Sequence, residues 1–167
     1  MDILVVVDMQ KDFISGALGT KEALAIVPRV AEKIVQAKKA GKTIVFTRDT
    51  HHENYLDTQE GKNLPVPHCI ENTDGWQIDA SLDTAGAMIF DKPSFGSEAL
   101  VRYLKSLPDL QSAEFVGLCT DICVITNVLS AKCALPELPI SVDSACCAGV
   151  TPESHANALS AMRMCQI

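Results

Sequence analysis

Residues 117–124 read GLCTDICV, and this segment sets the order of the elements around it. A mostly apolar run at residues 113–116 precedes it and predicts a short buried strand, while apolar residues after it recur at helical spacing. Cys123 therefore falls near the first turn of a helix that follows a strand. Unpaired backbone N–H groups and the helix dipole favour a thiolate there, and the same groups can hold an oxyanion. Cys123 is a candidate nucleophile, and a buried cysteine that only fills the core is the alternative.

The composition is that of an acidic globular protein. The 167 residues have the length of one domain, and we expect a single domain over residues 1–167. A net charge of −7 without a basic cluster argues against nucleic acid or an anionic membrane as a partner. The apolar run at residues 3–7 is too short to span a bilayer and lacks a basic leader. The seven cysteines form no paired zinc spacing, so we expect reduced thiols in a cytoplasmic protein.

Apolar runs alternate with helical patterns along the chain and predict a doubly wound α/β sandwich with a parallel sheet. Helices are predicted at residues 25–40 and 96–107, after residue 122 and from residue 151 onward. The long polar segment 53–79 is expected to be a functional loop. Strands are predicted at residues 3–7, 43–47, 87–90, 113–116 and 138–142, and residues 165–167 are expected to begin a sixth.

Three chemically different side chains follow these strands: Asp8 the first, Lys92 the third and Cys123 the fourth. Because the C-terminal ends of parallel strands lie on one side of a sheet, the three converge on one cleft. Asp8 would take the thiol proton and deliver it to a leaving amine, and Lys92 would lower the pKa of the thiol. Cys123 would attack a carbonyl to form a thioester. Each residue alone has a simpler interpretation. Asp8 could be a turn or capping residue after the strand, and Lys92 could be a solvated charge at a strand end.

A second polar set follows the second predicted strand. Asp49 and His51 are two residues apart, so their side chains face the same side of an extended chain. His68 lies in the long loop, which could bring it back to the same place. Two histidine nitrogens and one Asp oxygen would then form a metal site of the catalytic type, with positions left open for water or substrate. His52 faces the other way and is an alternative ligand. Surface histidines beside an Asp cap are the competing interpretation.

The chain resembles the isochorismatase-like cysteine hydrolases, and among them it is most similar to the nicotinamidases. The resemblance implies a three-layer α/β/α sandwich with a six-stranded, mostly parallel sheet. The matching segments keep the family's order over nearly the whole chain and are VDMQKDF at 7–13, TRDTH at 47–51, PHC at 67–69, DK at 91–92, GLCTDICV at 117–124 and the segment 143–152.

The same resemblance implies roles for individual residues. Asp8, Lys92 and Cys123 match the catalytic triad of the family. The backbone N–H groups of Cys119 and Cys123 match its oxyanion hole, which lies beside an unusual cis peptide bond.

The resemblance also implies a divalent metal, in many members zinc, bound through Asp49, His51 and His68, with Phe13 packed on the substrate ring. One position departs from the pattern. Nicotinamidases usually carry an aromatic residue three positions before the last metal histidine, and this chain has Pro65 there. Trp76 is a candidate to replace that aromatic from another direction.

The function implied is a cysteine-dependent amidase that hydrolyses a small amide, above all nicotinamide to nicotinic acid and ammonia, a reaction of NAD salvage. The enzyme would need a divalent metal but no organic cofactor, and family members commonly form homo-oligomers. Two alternatives stay open. One is a metal-independent hydrolase of N-carbamoyl or ureido compounds or of another isochorismatase-family substrate, and the other is a non-catalytic binding protein of the same fold.

Overall fold

The computed structural model describes residues 1–167, with a parallel five-stranded sheet at its centre. The strands are β1 (Asp2–Val7), β2 (Thr43–Asp49), β3 (Met88–Lys92), β4 (Ser112–Leu118) and β5 (Ile140–Ala148). Their order across the sheet is β3-β2-β1-β4-β5. The chain moves outward from β1 to β3 and then returns to the other side of β1, so a topological switch point lies between β1 and β4.

Helices connect the strands and begin at well-formed caps. Thr20, Ser97 and Thr151 each accept a backbone N–H bond at the start of a helix. The short turn Tyr55–Asp57 is a 3-10 helix, and Thr120–Val124 forms a π-helical turn. The α-helices are α1 (Lys11–Ile14), α2 (Lys21–Lys39), α3 (Gln59–Asn63), α4 (Glu98–Ser106), α5 (Ile125–Ala134) and α6 (Pro152–Met164).

The central strand explains why the fold has three layers. Leu4 and Val6 pack in one cluster with the buried faces of α1 and α2. Ile3, Val5 and Val7 point to the other face and pack with residues of α4, α5 and α6. All five side chains are fully buried. A strand covered on both faces requires a continuous apolar run rather than alternation, and residues 3–7 have this pattern.

Gly117 lets β4 approach the end of β1 closely. It pairs with Val7 and has a φ of 119°, and a Cβ atom at this position would lie 2.1 Å from the carbonyl oxygen of Val7. Only glycine takes this conformation at such a distance without strain. The polar residues that follow the two strands, Asp8 and Cys119, are therefore brought close to each other.

The predicted α/β/α sandwich is confirmed, but the sheet has five strands rather than six. Residues 165–167 do not begin a strand, because their N–H groups bond to carbonyls at the end of α6. The fifth predicted strand ends later than expected, since small residues carry β5 on to Ala148. The sequence pattern missed α1 and α3, which are each only about one turn long. None of the helices combines the length and apolar character needed to cross a membrane.

Candidate active site

The predicted site residues lie together at the C-terminal edge of the sheet. Asp8 follows β1, Asp49 ends β2, Lys92 ends β3, and Cys123 lies in the π-helical turn after β4. All four are buried. Asp8 has a φ of 47°, in the left-handed region that Asp tolerates better than most residues. The Oγ1 hydroxyl of Thr47 donates to its Oδ1 at 2.6 Å and fixes the carboxylate.

The ammonium group of Lys92 lies at the centre of the site. Its Nζ atom is 2.6 Å from Oδ2 of Asp8, 3.4 Å from Oδ1 of Asp49 and 3.5 Å from Sγ of Cys123. It also donates a hydrogen bond to the carbonyl of Ser94 at 2.9 Å. Lys92 is only 1% exposed, so two carboxylates compensate its charge in place of water.

Burial controls the protonation of these groups. It raises the pKa of Cys123 well above its ordinary value, and the Asp8 carboxylate raises that pKa further. Lys92 lowers the pKa of the thiol, in the predicted direction, but the two raising effects outweigh it. Burial also raises the pKa of Asp8 against the lowering effect of Lys92. Cys123 therefore rests as a thiol beside a carboxylate that can accept its proton.

The backbone around Cys119 connects β4 to the nucleophile. The peptide bond between Leu118 and Cys119 is cis, at the position that the resemblance implies. The carbonyl of Cys119 accepts the N–H groups of Ile122 and Val124 at 3.1 and 3.0 Å, and these bonds begin the π-helical turn. Cys119 and Cys123 line the same cavity.

This cavity, of about 60 Å³, is the candidate substrate pocket. Ligand sites for drug-sized molecules measure roughly 300 Å³ or more, so the pocket suits a small molecule. Phe13 belongs to its wall, with its ring centroid 5.5 Å from that of His68. The lining is mostly apolar and consists of Phe13, Leu18, Asp49, Glu60, Leu64, His68, Phe95, Cys119, Ile122 and Cys123.

The position that departs from the nicotinamidase pattern does not contribute to this wall. Pro65 is absent from the lining, whereas its neighbour Leu64 and the aromatic Phe95 are present. Trp76 is not a replacement, because it is buried elsewhere. Its Nε1 donates to the hydroxyl of Thr50 at 2.9 Å, and the guanidinium of Arg48 lies 3.4 Å from its ring centroid.

Four side chains next to the pocket converge as metal ligands do. Ligand atoms of Asp49, His51, Glu60 and His68 all lie within 4.8 Å of one another. Oδ2 of Asp49 is 3.0 Å from Nε2 of His51 and 3.6 Å from Nε2 of His68. Oε1 of Glu60 is 3.5 and 3.6 Å from the same two nitrogens. His52, the alternative ligand, is exposed and lies beside Glu71 instead.

These residues fit a divalent metal. A tetrahedral zinc site with bonds of about 2.0–2.1 Å has edges of about 3.3–3.4 Å, close to the separations between these carboxylates and imidazoles. Nε2 of His51 is buried without a well-directed hydrogen bond, as expected of an atom aimed at a cation. Nδ1 of His68 lies 2.8 Å from the carbonyl of Val66, so it must donate, which leaves Nε2 free to bind a metal.

The charged groups in this donor set shift one another's pKa values. Burial tends to lower the pKa of His51, but the nearby carboxylates of Asp49 and Glu60 outweigh it and raise the pKa to about 9. Burial tends to raise the pKa of Asp49, but both histidines and Lys92 bring it well below its ordinary range. The site as a whole therefore favours positive charge between its carboxylates.

Two supporting residues were not predicted from the sequence. Glu60 is the fourth donor of the metal set. The sequence shows it only as one of several acidic residues in the long polar loop. Gln10 is fully buried and fixes the backbone of Asp49: its Nε2 donates to the Asp49 carbonyl at 2.8 Å, and its Oε1 accepts the Asp49 N–H at 2.7 Å. The sequence offers no signal for this role, because it depends on the pairing of β1 with β2.

Comparisons with known proteins agree with this geometry. The nicotinamidase/pyrazinamidase of Mycobacterium tuberculosis is 26% identical over 184 aligned positions, which cover all of this chain and 97% of that protein. The zinc complex of Pyrococcus horikoshii pyrazinamidase has a TM-score of 0.85 and 30% identity, with 98% of this chain and 94% of that chain covered. The pyrazinamidase/nicotinamidase of Streptococcus mutans has a TM-score of 0.86 and 26% identity, with 98% and 96% covered.

A family model, described as the isochorismatase domain, matches residues 2–167, which is nearly the whole chain. The parallel sheet between two helical layers agrees with the solved structures of this group. The resemblance found in the sequence is thereby confirmed, and the chain belongs to the isochorismatase domain family.

Proposed function

We propose that this protein is a cysteine-dependent amidase that hydrolyses nicotinamide to nicotinic acid and ammonia. One observation carries the proposal: the ammonium of Lys92 contacts Asp8, Cys123 and Asp49, and so joins a nucleophile to a four-donor metal set. The names of the relatives, nicotinamidases and pyrazinamidases, support the same reaction.

In the first half of the reaction, Asp8 accepts the thiol proton of Cys123 while Sγ bonds to the amide carbonyl carbon. The carbonyl oxygen becomes an oxyanion, which the backbone N–H groups of Cys119 and Cys123 would hold. Asp8 then returns the proton to the amide nitrogen, the C–N bond breaks and ammonia leaves. The acyl group remains on Cys123 as a thioester.

In the second half, Asp8 takes a proton from water, whose oxygen attacks the thioester carbonyl. The C–S bond breaks, the carboxylic acid is released, and the proton on Asp8 returns to Cys123. Lys92 stays charged throughout, because burial acts to lower its pKa, but Asp8, the thiolate form of Cys123 and Asp49 outweigh it and raise the pKa. Its fixed charge stabilises each anionic group in turn.

Asp49, His51, Glu60 and His68 are the residues that would hold a divalent metal. When bound, the metal supplies a Lewis acid next to the pocket that can hold the ring nitrogen of the substrate. The chain's own contribution is orientation, since Gln10 fixes the backbone of Asp49 and Val66 fixes the ring of His68. Zinc is the metal we propose, on the basis of the nitrogen and oxygen donors.

The test is ammonia release from nicotinamide by the wild-type protein, with and without a chelator, beside Cys123→Ala. We expect turnover to be lost with the chelator and with the variant, and to return when zinc is added back to the wild type. Cys133→Ala is a matched control, because Cys133 is an exposed free cysteine. Ammonia release that persists in Cys123→Ala would contradict the proposal.

The metal-independent hydrolysis of ureido compounds is the second candidate, because it uses the same three catalytic residues. Stoichiometric metal in the purified protein separates the two reactions, since the second requires none. We further propose a single domain over residues 1–167, a homo-oligomer and a cytoplasmic location. Limited proteolysis, light scattering and fractionation of cells test these three proposals in turn.

A further inference from the structure

We propose that Phe95 is a second aromatic wall for the substrate ring and that Asn127 is the residue that positions it. The inference rests on the proposed function and extends it to a specificity determinant. Phe95 lies in the segment between β3 and α4, three residues after Lys92. Phe95 and Phe13 are the two phenylalanines in the pocket lining, whereas Pro65 is not part of it.

The placement of Phe95 is the first argument. It lines the pocket together with Phe13 and Cys123, and it is still 42% exposed. Aromatic rings pair in offset-stacked or edge-to-face arrangements, so a planar ring bound in this pocket can pack against the ring of Phe95. Phe95 also lines the wider groove outside the pocket, so it forms part of the boundary between the two spaces.

Hydrogen bonds to buried side chains hold the backbone around Phe95 in place. Nδ2 of Asn127 donates to the carbonyl of Phe95 at 3.1 Å, and Oδ1 of Asn127 accepts the N–H of Ser97 at 2.9 Å. The carbonyl of Ser94, just before Phe95, accepts from Lys92. The backbone is therefore fixed on both sides of Phe95, at Ser94 by Lys92 and at Ser97 by Asn127. These bonds preorganise the ring before any ligand binds.

Asn127 also connects this segment to the nucleophile. It lies on α5, is fully buried, and donates a further hydrogen bond from Nδ2 to the carbonyl of Cys123 at 2.8 Å. One buried amide therefore joins the segment that carries Phe95 to the turn that carries Cys123. All three of its hydrogen bonds are to backbone groups, so it sets the distance between the wall and the reacting sulfur.

The test compares Phe95→Leu, Phe95→Tyr and the wild type by KM and kcat for nicotinamide. We expect Phe95→Leu to raise KM roughly two- to tenfold, the range expected for the loss of an aromatic pair, with kcat nearly unchanged. Phe95→Tyr keeps the ring and should restore the wild-type KM. Leu24→Ala, an exposed residue on α2, serves as the control for a neutral surface substitution.

Asn127→Ala tests the positioning role through a double-mutant cycle. We expect it to raise KM as Phe95→Leu does, and to add little to KM when Phe95 is already Leu. Additive effects of the two substitutions on KM would overturn the role of Asn127. If Asn127→Ala does not fold, Asn127→Asp is the alternative, since it keeps the shape but loses both donated hydrogen bonds.

The dissociation constant of nicotinic acid, measured by calorimetry, gives a readout that does not need turnover. Phe95→Leu should weaken it by the same factor as KM. An active wild type whose KM and nicotinic acid affinity are unchanged in Phe95→Leu would overturn this inference alone. A wild type that neither hydrolyses nicotinamide nor binds nicotinic acid would contradict both the proposed function and the wall.

Discussion

Lys92 places a buried ammonium group in the site, so protein groups rather than water surround its charge. Asp8 and Asp49 approach it from two strands, and Cys123 approaches from the turn after a third. Removing one partner from such a buried group costs several kcal/mol, because the remaining charge is left uncompensated. Asp8 and Cys123 are therefore coupled electrostatically through the ammonium group that contacts both of them.

Asp8→Asn should change reactivity and turnover in opposite directions. Burial remains the largest cause of the raised pKa of Cys123, but the variant removes the Asp8 carboxylate that also raises it and keeps Lys92, which lowers it. The pKa of Cys123 should therefore fall, and alkylation at pH 7 should become faster. Turnover should fall by about 10²–10⁴-fold, because the proton acceptor is lost.

The two rates are measured by iodoacetamide labelling of Cys123 and by ammonia release. Cys123→Ala defines the labelling background from the other cysteines. Slower labelling of Cys123 in Asp8→Asn would contradict the assigned cause of the raised pKa. An unchanged kcat would show that Asp8 is not the base.

The sequence was sufficient to predict that four polar residues lie together at one edge of the sheet. Asp8, Asp49, Lys92 and Cys123 each follow an apolar run, and the C-terminal ends of parallel strands meet. Glu60, Gln10 and Asn127 could not be predicted in the same way. Their roles depend on where a loop returns and on which backbone carbonyls lie within reach, and neither follows from local pattern.

At the scale of elements, one lysine joins α2 to the sheet. Nζ of Lys33 is 2.8 Å from Oε1 of Glu114 on β4 and 2.6 Å from Oδ2 of Asp143 on β5. Lys42 approaches the other oxygen of Glu114 at 3.0 Å. These side chains are half-buried, so water screens the pairs only in part.

This cluster predicts a loss of stability in acid. For Glu114 and Asp143, burial acts to raise the pKa, but hydrogen bonds from Lys33 outweigh it and bring the pKa below the ordinary values of 4.5 and 3.8. The unfolded chain therefore binds protons more readily, so the stabilisation is complete above about pH 5 and is lost as pH falls through the folded-state pKa values.

Lys33→Met should lower the free energy of unfolding by about 1 kcal/mol at pH 7. The effect should be smaller at pH 3.5, because the unfolded chain then holds protons on most of these carboxyl groups, and folding with the Lys33 pairs must release them. Urea unfolding at the two pH values measures both differences. Lys21→Met is the matched control, since Lys21 lies almost fully in water on the same helix. An equal effect of Lys33→Met at both pH values would contradict this account.

Elements with strong patterns were predicted well, and weak ones were not. The continuous apolar run of β1 and the helical period of α2 identify these elements without ambiguity. The second half of β5 reads as a loop, because Ser144, Ala145 and Cys146 are small and show no alternation. Pairing with β4 forms that half of the strand, and this long-range contact overrides the local preference.

For the whole molecule, the proposed metal should act as a stabilising ligand as well as a cofactor. A ligand that binds only the folded state at 100 times its Kd adds about 2.7 kcal/mol to the free energy of unfolding. We therefore expect zinc to raise the thermal midpoint and a chelator to lower it. Glu60→Gln should reduce the shift, since it removes one charged donor.

His51→Ala and His52→Ala form a matched pair for this measurement. His51 is buried within the donor set, whereas the neighbouring His52 is exposed outside it. The zinc-dependent rise should disappear in the first variant and persist in the second. Equal losses in both would place the metal elsewhere.

The two parts of the site differ in how far apart their residues lie along the chain, and this difference bears on the order of folding. The proposed metal donors all lie between Asp49 and His68, whereas Asp8 and Cys123 meet only after β4 has paired with β1. Closing short loops costs less entropy and is faster than assembling distant strands. During refolding, zinc binding should therefore recover before ammonia release, and mixing experiments that follow both signals would separate a metal-bound intermediate from the finished enzyme.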